Sequence, residues 1–298
     1  MKNVSNTLKK STVITGIALL LNTVIHAQGT NYFAGQGAGV GNTGTFNLGI
    51  GMSALGSSNS GNGNSAVGAS TLPYNTTGFA NTAIGYTALR DNIDGSYNVA
   101  VGMNALMNNE SGIYNVACGN QSLFTNSIGF KNAAFGYQSL HFNESGYENS
   151  AFGNNALYSN NRSGNSAFGA SALFSNITGG DNNAFGYKSL YNNNGEYNCG
   201  FGSYTLFSNT TGQYNCAFGT YALDNNNTGN SNSAFGHSAL TNNTTGYQNA
   251  ALGEYAADHL TTGFYNAALG SNALHLTTTS NNSVAVGFNA GGVRSKYV

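Results

Sequence analysis

One short motif, Asn-x-Ala-apolar-Gly, returns along almost the whole chain and constrains the fold more than any other feature. It reads Asn64-Ser65-Ala66-Val67-Gly68, Asn81-Thr82-Ala83-Ile84-Gly85 and Asn149-Ser150-Ala151-Phe152-Gly153, and ends as Ser283-Val284-Ala285-Val286-Gly287. Its closing glycines run from Gly51 to Gly287 in fifteen copies, stepping by 17 residues twelve times and by 16 twice. A blurred sixteenth copy begins at Asn31. A unit this short cannot bury an apolar face alone, so neighbouring copies must stack into one continuous array.

Numbering each repeat from its Asn makes the columns legible. Position 3 is always Ala or Gly, and position 4 is apolar, from Ile50 and Val67 through Phe135 and Phe235 to Leu269 and Val286. Position 8 is always Ala, Ser or Thr, and position 9 is Leu in thirteen of fifteen repeats, with Ala257 and Gly291 the exceptions. Positions 12 to 15 read like Asn209-Thr210-Thr211-Gly212, a turn sequence whose Gly or Asn accepts positive φ. Gly and Asn, both weak helix formers, recur too often for a helical repeat. The pattern predicts two short strands per coil, one over positions 1 to 5 and one around position 9, each followed by a turn. The fold class is therefore all-β, a parallel β-solenoid of about sixteen coils of 16–17 residues. Equivalent residues then lie ~4.8 Å apart along a rod about 70 Å long. The Phe and Leu ladders are expected to form the core, and the Asn columns at positions 1 and 12 to stack amide on amide.

Composition agrees. Only 6% of the chain is charged, against about a quarter in ordinary globular domains. Like charges stacked on successive rungs would repel in every coil, so a ladder architecture selects against Lys and Glu. The hydrophobic content of 40% argues against disorder.

The N-terminus reads as a targeting segment. Lys2, Lys9 and Lys10 precede the apolar run Val13 to Leu21, and Ala27 closes it, which describes a secretory signal peptide over residues 1–27. Residues 28–46 then form an N-terminal cap and degenerate first coil, and residues 47–298 the β-roll repeat domain. The mature chain would keep six basic against ten acidic residues, a net of −4. A chain of that charge has no general attraction for nucleic acid or anionic membranes. With no second hydrophobic span, no intrinsic membrane crossing is expected after cleavage, and the expected location is secreted or cell-surface.

At Asn282-Ser283-Val284-Ala285-Val286-Gly287 and its internal copies the chain resembles the head repeats of YadA-like trimeric autotransporter adhesins. Similar repeats occur in tail-fibre-like proteins. The resemblance covers about residues 31–298. It implies a left-handed parallel β-roll, assembled as a homotrimer. The coiled-coil stalk and membrane barrel of that adhesin family find no match here, nor does the self-cleaving chaperone domain of the tail-fibre relatives. The Ala/Gly column at position 3 suits either close approach between protomers or the thin interior of a single roll.

Chemistry-bearing residues are few. The nearest approach to a catalytic or metal cluster is Glu254 and Asp258 with His259, in the coil that lost Leu at position 9, and these read as solvated residues at a coil irregularity. No catalytic, cofactor-binding or metal-ligating residue is expected, and no cofactor. Cys118, Cys199 and Cys216 show no ligand spacing. Cys199 and Cys216 share position 2 of consecutive coils and should remain free thiols, because a disulfide between in-register parallel strands is strained. Candidate surface-contact residues are Tyr86, Tyr137 and Tyr187, which share position 6. Tyr97, Tyr114, Tyr197, Tyr214 and Tyr265 precede the motif Asn, and for both sets of tyrosines the favoured reading beside surface contact is a stacked ladder covering the roll edge. An ice-binding Thr array is not expected, since Asn109-Glu110-Ser111 interrupts the Thr-Thr turns. The expected function is that of an exported, non-enzymatic, fibrous surface protein, adhesin-head-like, attaching to a host-cell, matrix or glycan ligand. The alternative is the structural shaft of a fibre or tail-fibre-type protein without binding activity of its own.

Overall fold

The computed structural model describes residues 31–57 and 59–291; the expected signal peptide lies outside them. Sixteen three-residue strands follow one another, from β1 (Tyr32–Ala34) and β2 (Leu48–Ile50) to β16 (Val284–Val286), and there is no helix among the described residues. They form one parallel sheet in strict chain order. The protein is a parallel β-solenoid with one sheet strand per coil. Asn31 heads the first coil: its Oδ1 accepts from the Asn47 N–H at 2.8 Å and its Nδ2 donates to the Gly44 carbonyl at 2.7 Å.

Register is set by the motif itself. Ser65, Ala66 and Val67 pair with Thr82, Ala83 and Ile84, and the same columns meet at every step. The 16-residue coils stay in register, with Asn183, Ala184 and Phe185 opposite Cys199, Gly200 and Phe201. The missing residue comes out of the polar turn. In a 17-residue coil Asn92 Nδ2 reaches the carbonyl of Gly95, three residues on, whereas in short coils Asn160 and Asn193 reach Arg162 and Gly195, two residues on.

Two expectations change. The apolar segment around position 9 is not a second strand. Ser70 and Leu72, and their counterparts at positions 7 and 9 of other coils, have φ near +50°, a left-handed conformation that breaks the extended backbone. It still ties the coils together, because the Ser70 N–H donates to Met52 O below at 2.8 Å and the Leu72 N–H to Ala88 O above at 3.1 Å. Nor is the Phe ladder part of the core. Successive strand side chains point to opposite faces, so position 3 points inward and positions 2 and 4 outward. Ala66, Ala83 and Ala100 are 0% exposed, while Phe135 and Phe235 keep 36% and 37% of their surface in water. The interior holds the Ala and Leu columns, one cluster running from Ala54 to Ala285. The small side chains at position 3 therefore fit a thin single-roll interior and are not available to a neighbouring protomer.

The polar interior is the other half of the stabilisation. Asn81, Asn98 and Asn115 are completely buried at position 1, as are Asn92, Asn109 and Asn126 at position 12. Asn98 accepts the backbone N–H of Asn115 through Oδ1 at 2.9 Å and donates Nδ2 to Gly112 O at 2.8 Å. Along position 12 each Nδ2 donates to the Oδ1 of the preceding coil, from Asn92 to Asn75 at 2.7 Å and from Asn109 to Asn92 at 2.8 Å. Burying so many amides is tolerable only because donors and acceptors are matched rung by rung. The motif-closing Gly is equally constrained. Gly85 has φ +135°, and a Cβ there would lie 2.5 Å from the carbonyl oxygen of Gly102 in the next coil. One opposite-charge pair stacks across a step: Lys131 at position 17 meets Glu148 at position 17 of the next coil, 3.1 Å away.

Candidate functional site

The outer face of the sheet carries one apolar column along the rod. Its middle is a run of stacked rings, Phe135, Phe152, Phe168, Phe185, Phe201, Phe218 and Phe235, with centroids 4.6 to 5.0 Å apart and planes within 9° of parallel. Aliphatic side chains extend it both ways: Ile50, Ile84 and Val101 are 39%, 43% and 37% exposed, and Leu252 and Leu269 are 56% and 42% exposed. The strand geometry forces this stripe, because an apolar residue at position 4 projects from the sheet in every coil.

Tyr86, Tyr137 and Tyr187 are exposed, as their column predicts. The structure does not bring them together. They stand three coils apart, about 14 Å at each step, with Met103 and Asn120, then Asn154 and Ala170, between them in the column. Tyr187 has acquired different neighbours. Its ring meets Tyr204 edge-on at 5.4 Å, and the ammonium of Lys188 lies 5.3 Å, 5.6 Å and 5.8 Å from the rings of Tyr187, Tyr191 and Tyr204. Cation–π attraction of this kind organises an exposed aromatic patch. At the roll edge, Tyr97 stacks on Tyr114 at 4.9 Å and Tyr197 on Tyr214 at 5.1 Å, as expected of a ladder.

A column that the motif reading did not single out is position 10. Phe124, His141, Tyr158, Phe174, Tyr191 and Phe207 form a second stack, with centroids 4.9 to 5.2 Å apart. Burial lowers the pKa of the His141 imidazole, against a hydrogen bond to Gln121 O that raises it. Beyond Phe207 the column turns polar, to Asp224, Thr241, Asp258 and His275. Burial pushes the Asp224 carboxyl up to about 6, and its Oδ1 is enclosed without a hydrogen-bond partner. Beside this polar stretch runs a groove of about 620 Å³. One wall is position 11 (Ser208, Asn225, Asn242, His259) and the other position 13, mostly Thr.

The grouping of Glu254 with Asp258 and His259 is replaced. The residues that converge are Asp258, His259 and His275, the last from the following coil. Asp258 and His275 are both at position 10, one 17-residue step apart, so reading that column across coils would have paired them. Cys199 and Cys216 face one another in register and are free. Burial, with Cys216 alongside, pushes the Cys199 thiol up to about 11, and burial likewise raises Cys216. No helix among the described residues is long and apolar enough to cross a membrane.

No protein-family model matches the chain and no curated protein matches it in sequence.

Proposed function

We propose that this is an exported, non-enzymatic, fibrous surface protein that attaches to a host-cell, matrix or glycan ligand through a repetitive surface, working as a homotrimer at the cell surface or in secreted form. The observation that carries the reading is the exposed apolar stripe at position 4. A half-exposed apolar column repeated along a rod is the kind of surface that marks an interaction face, and its regular pitch suits packing against copies of the same rod. Tyr86, Tyr137 and Tyr187 are exposed in a separate column, position 6, the last inside the Lys188 patch. Flat rings beside amides and hydroxyls offer weak contacts to sugars or polypeptide, and repetition along three rods turns weak contacts into avidity.

Sedimentation of the secreted chain tests the assembly: a species of three chain masses is expected, reduced to one in Phe185→Asp. Panels of glycans, matrix proteins and cells test attachment, with a Tyr86→Ala/Tyr137→Ala/Tyr187→Ala variant expected to bind less. A trimer that binds nothing on those panels would make the molecule a structural shaft.

A further inference from the structure

We infer that Asp258, His259 and His275 form a binding site for one divalent transition-metal ion of the zinc class. The inference does not depend on the attachment reading. His275 Nδ1 lies 2.5 Å and His259 Nδ1 3.1 Å from the same carboxylate oxygen, Oδ1 of Asp258. One ligand atom from each residue falls within 4.8 Å of the other two. Donor atoms around a tetrahedral zinc ion, with bonds of about 2.0–2.1 Å, stand about 3.3 Å apart, so small side-chain rotations open the cluster around an ion.

The chemistry of the set selects the ion. Two imidazoles and one carboxylate suit zinc, copper or nickel, whereas calcium and magnesium take oxygen donors. Three protein donors leave a coordination position for water or a donor atom of a bound ligand. Asp258 is 5% exposed, while the side chains of His259 and His275 keep 48% and 34% of their surface in water. The anionic ligand is thus held inside and the imidazoles give an ion its entry path. Backbone bonding beside the cluster fixes the coil spacing, with the Ala257 N–H donating to Ala273 O at 2.8 Å.

Chance is a poor account of this convergence. The chain holds ten Asp and Glu and five His in 298 residues, yet three of them meet here. The same coil abandons the repeat at positions 9 to 12 together, reading Ala257-Asp258-His259-Leu260 where most coils have Leu at 9 and Asn at 12. Leu260, fully buried, supplies the apolar bulk that Ala257 lacks. It also ends the position-12 amide ladder and leaves Asn243 Oδ1 buried without a partner. The Asp-His pair thus sits in the coil where the position-12 amide ladder is broken.

The test is calorimetric titration of the full chain, made without a polyhistidine tag and stripped with chelator, using zinc chloride. One zinc per chain is expected. His259→Gln and His275→Gln should each weaken binding more than about tenfold, the loss typical of disturbing even an outer-shell partner, with circular dichroism unchanged. His237→Gln, on the same rod but outside the cluster, should bind as the wild type does. Cobalt(II) should occupy the same site and give a visible absorption band that His275→Gln abolishes. Absence of saturable binding, or equal affinity in His275→Gln, would overturn the assignment.

Discussion

Position 10 can be followed along one rod through two regions that share a backbone and differ in chemistry. From Phe124 to Phe207 it is a stack of aromatic rings with His141 held inside it. From Asp224 to His275 it is a line of carboxylates, a hydroxyl and an imidazole. Register and coil spacing are the same in both. In the first region a side chain contributes by repeating its neighbour, since offset parallel rings gain with each added rung. In the second, rungs differ, and neighbours contribute by complementing one another, as His275 does with Asp258. The solenoid thus separates the two tasks: the inner columns set the register of the rod, and position 10 can change chemistry while that register stays the same.

Breaking the inner ladder in the aromatic region should have the largest effect. Asn126 donates to Asn109 Oδ1 and Gly129 O and accepts from Asn143 Nδ2, each at 2.9 Å. Asn126→Leu copies what Leu260 does naturally but without a compensating Ala at position 9. It should cost about 3 kcal/mol in urea unfolding, the penalty of several stranded polar groups. Next comes Phe174→Asp, which carries the polar chemistry into the stack. Phe174 lies 4.9 Å from Tyr158 and 5.0 Å from Tyr191; losing both contacts should cost about 2 kcal/mol. The converse repair, Ala257→Leu with Leu260→Asn, restores the repeat and should gain about 1 kcal/mol, so an unchanged melting temperature would show that the irregular coil is already fully compensated.

Asp224 marks the border between the two regions, and its sign can be worked out. Its carboxyl holds its proton to about 6 when folded, against an ordinary value of 3.8. Folding therefore favours the protonated form. The contribution is fully present below pH 3.8 and is lost as pH rises through 6. Asp224→Asn should gain nothing over wild type at low pH and about 1 kcal/mol at pH 7, the shift being discounted because the carboxyl is only half-buried. Urea midpoints across that pH range would check it. The smallest effect belongs to the thiols. All three cysteines should titrate in unfolded, unreduced protein, and Cys199 should alkylate more slowly at pH 8 in the folded chain than in the unfolded one, because its thiol is pushed up to about 11.

Much of this was legible before any coordinates. Spacing alone placed every strand, since one motif copy makes one strand and a shared period makes a shared register; Asn31 and Tyr32 joined the array on that basis. The Asn ladders followed from two Asn columns that recur in a nearly uncharged repeat. The facing of Phe135 and its column was not legible, because alternation shows that positions 3 and 4 oppose each other and not which of them faces inward. Volume decides that: the roll is too thin for stacked Phe beside stacked Leu, so Ala takes the interior. The second strand failed for a related reason, as residues such as Leu72 must turn at φ +51° to point inward. Tyr86, Tyr137 and Tyr187 were correctly exposed but not neighbours, and Lys188 was absent from the reading because it belongs to a different column.

The sequence by itself determined the period, the register and the scarcity of charge, because in a stacked array every residue choice is repeated against itself at one short distance. Only the tertiary structure decided which columns face inward, where the outer chemistry changes, and that His275 completes a cluster begun by Asp258. Those depend on how coils are wound and how much volume each encloses, and neither is a property of one repeat read alone.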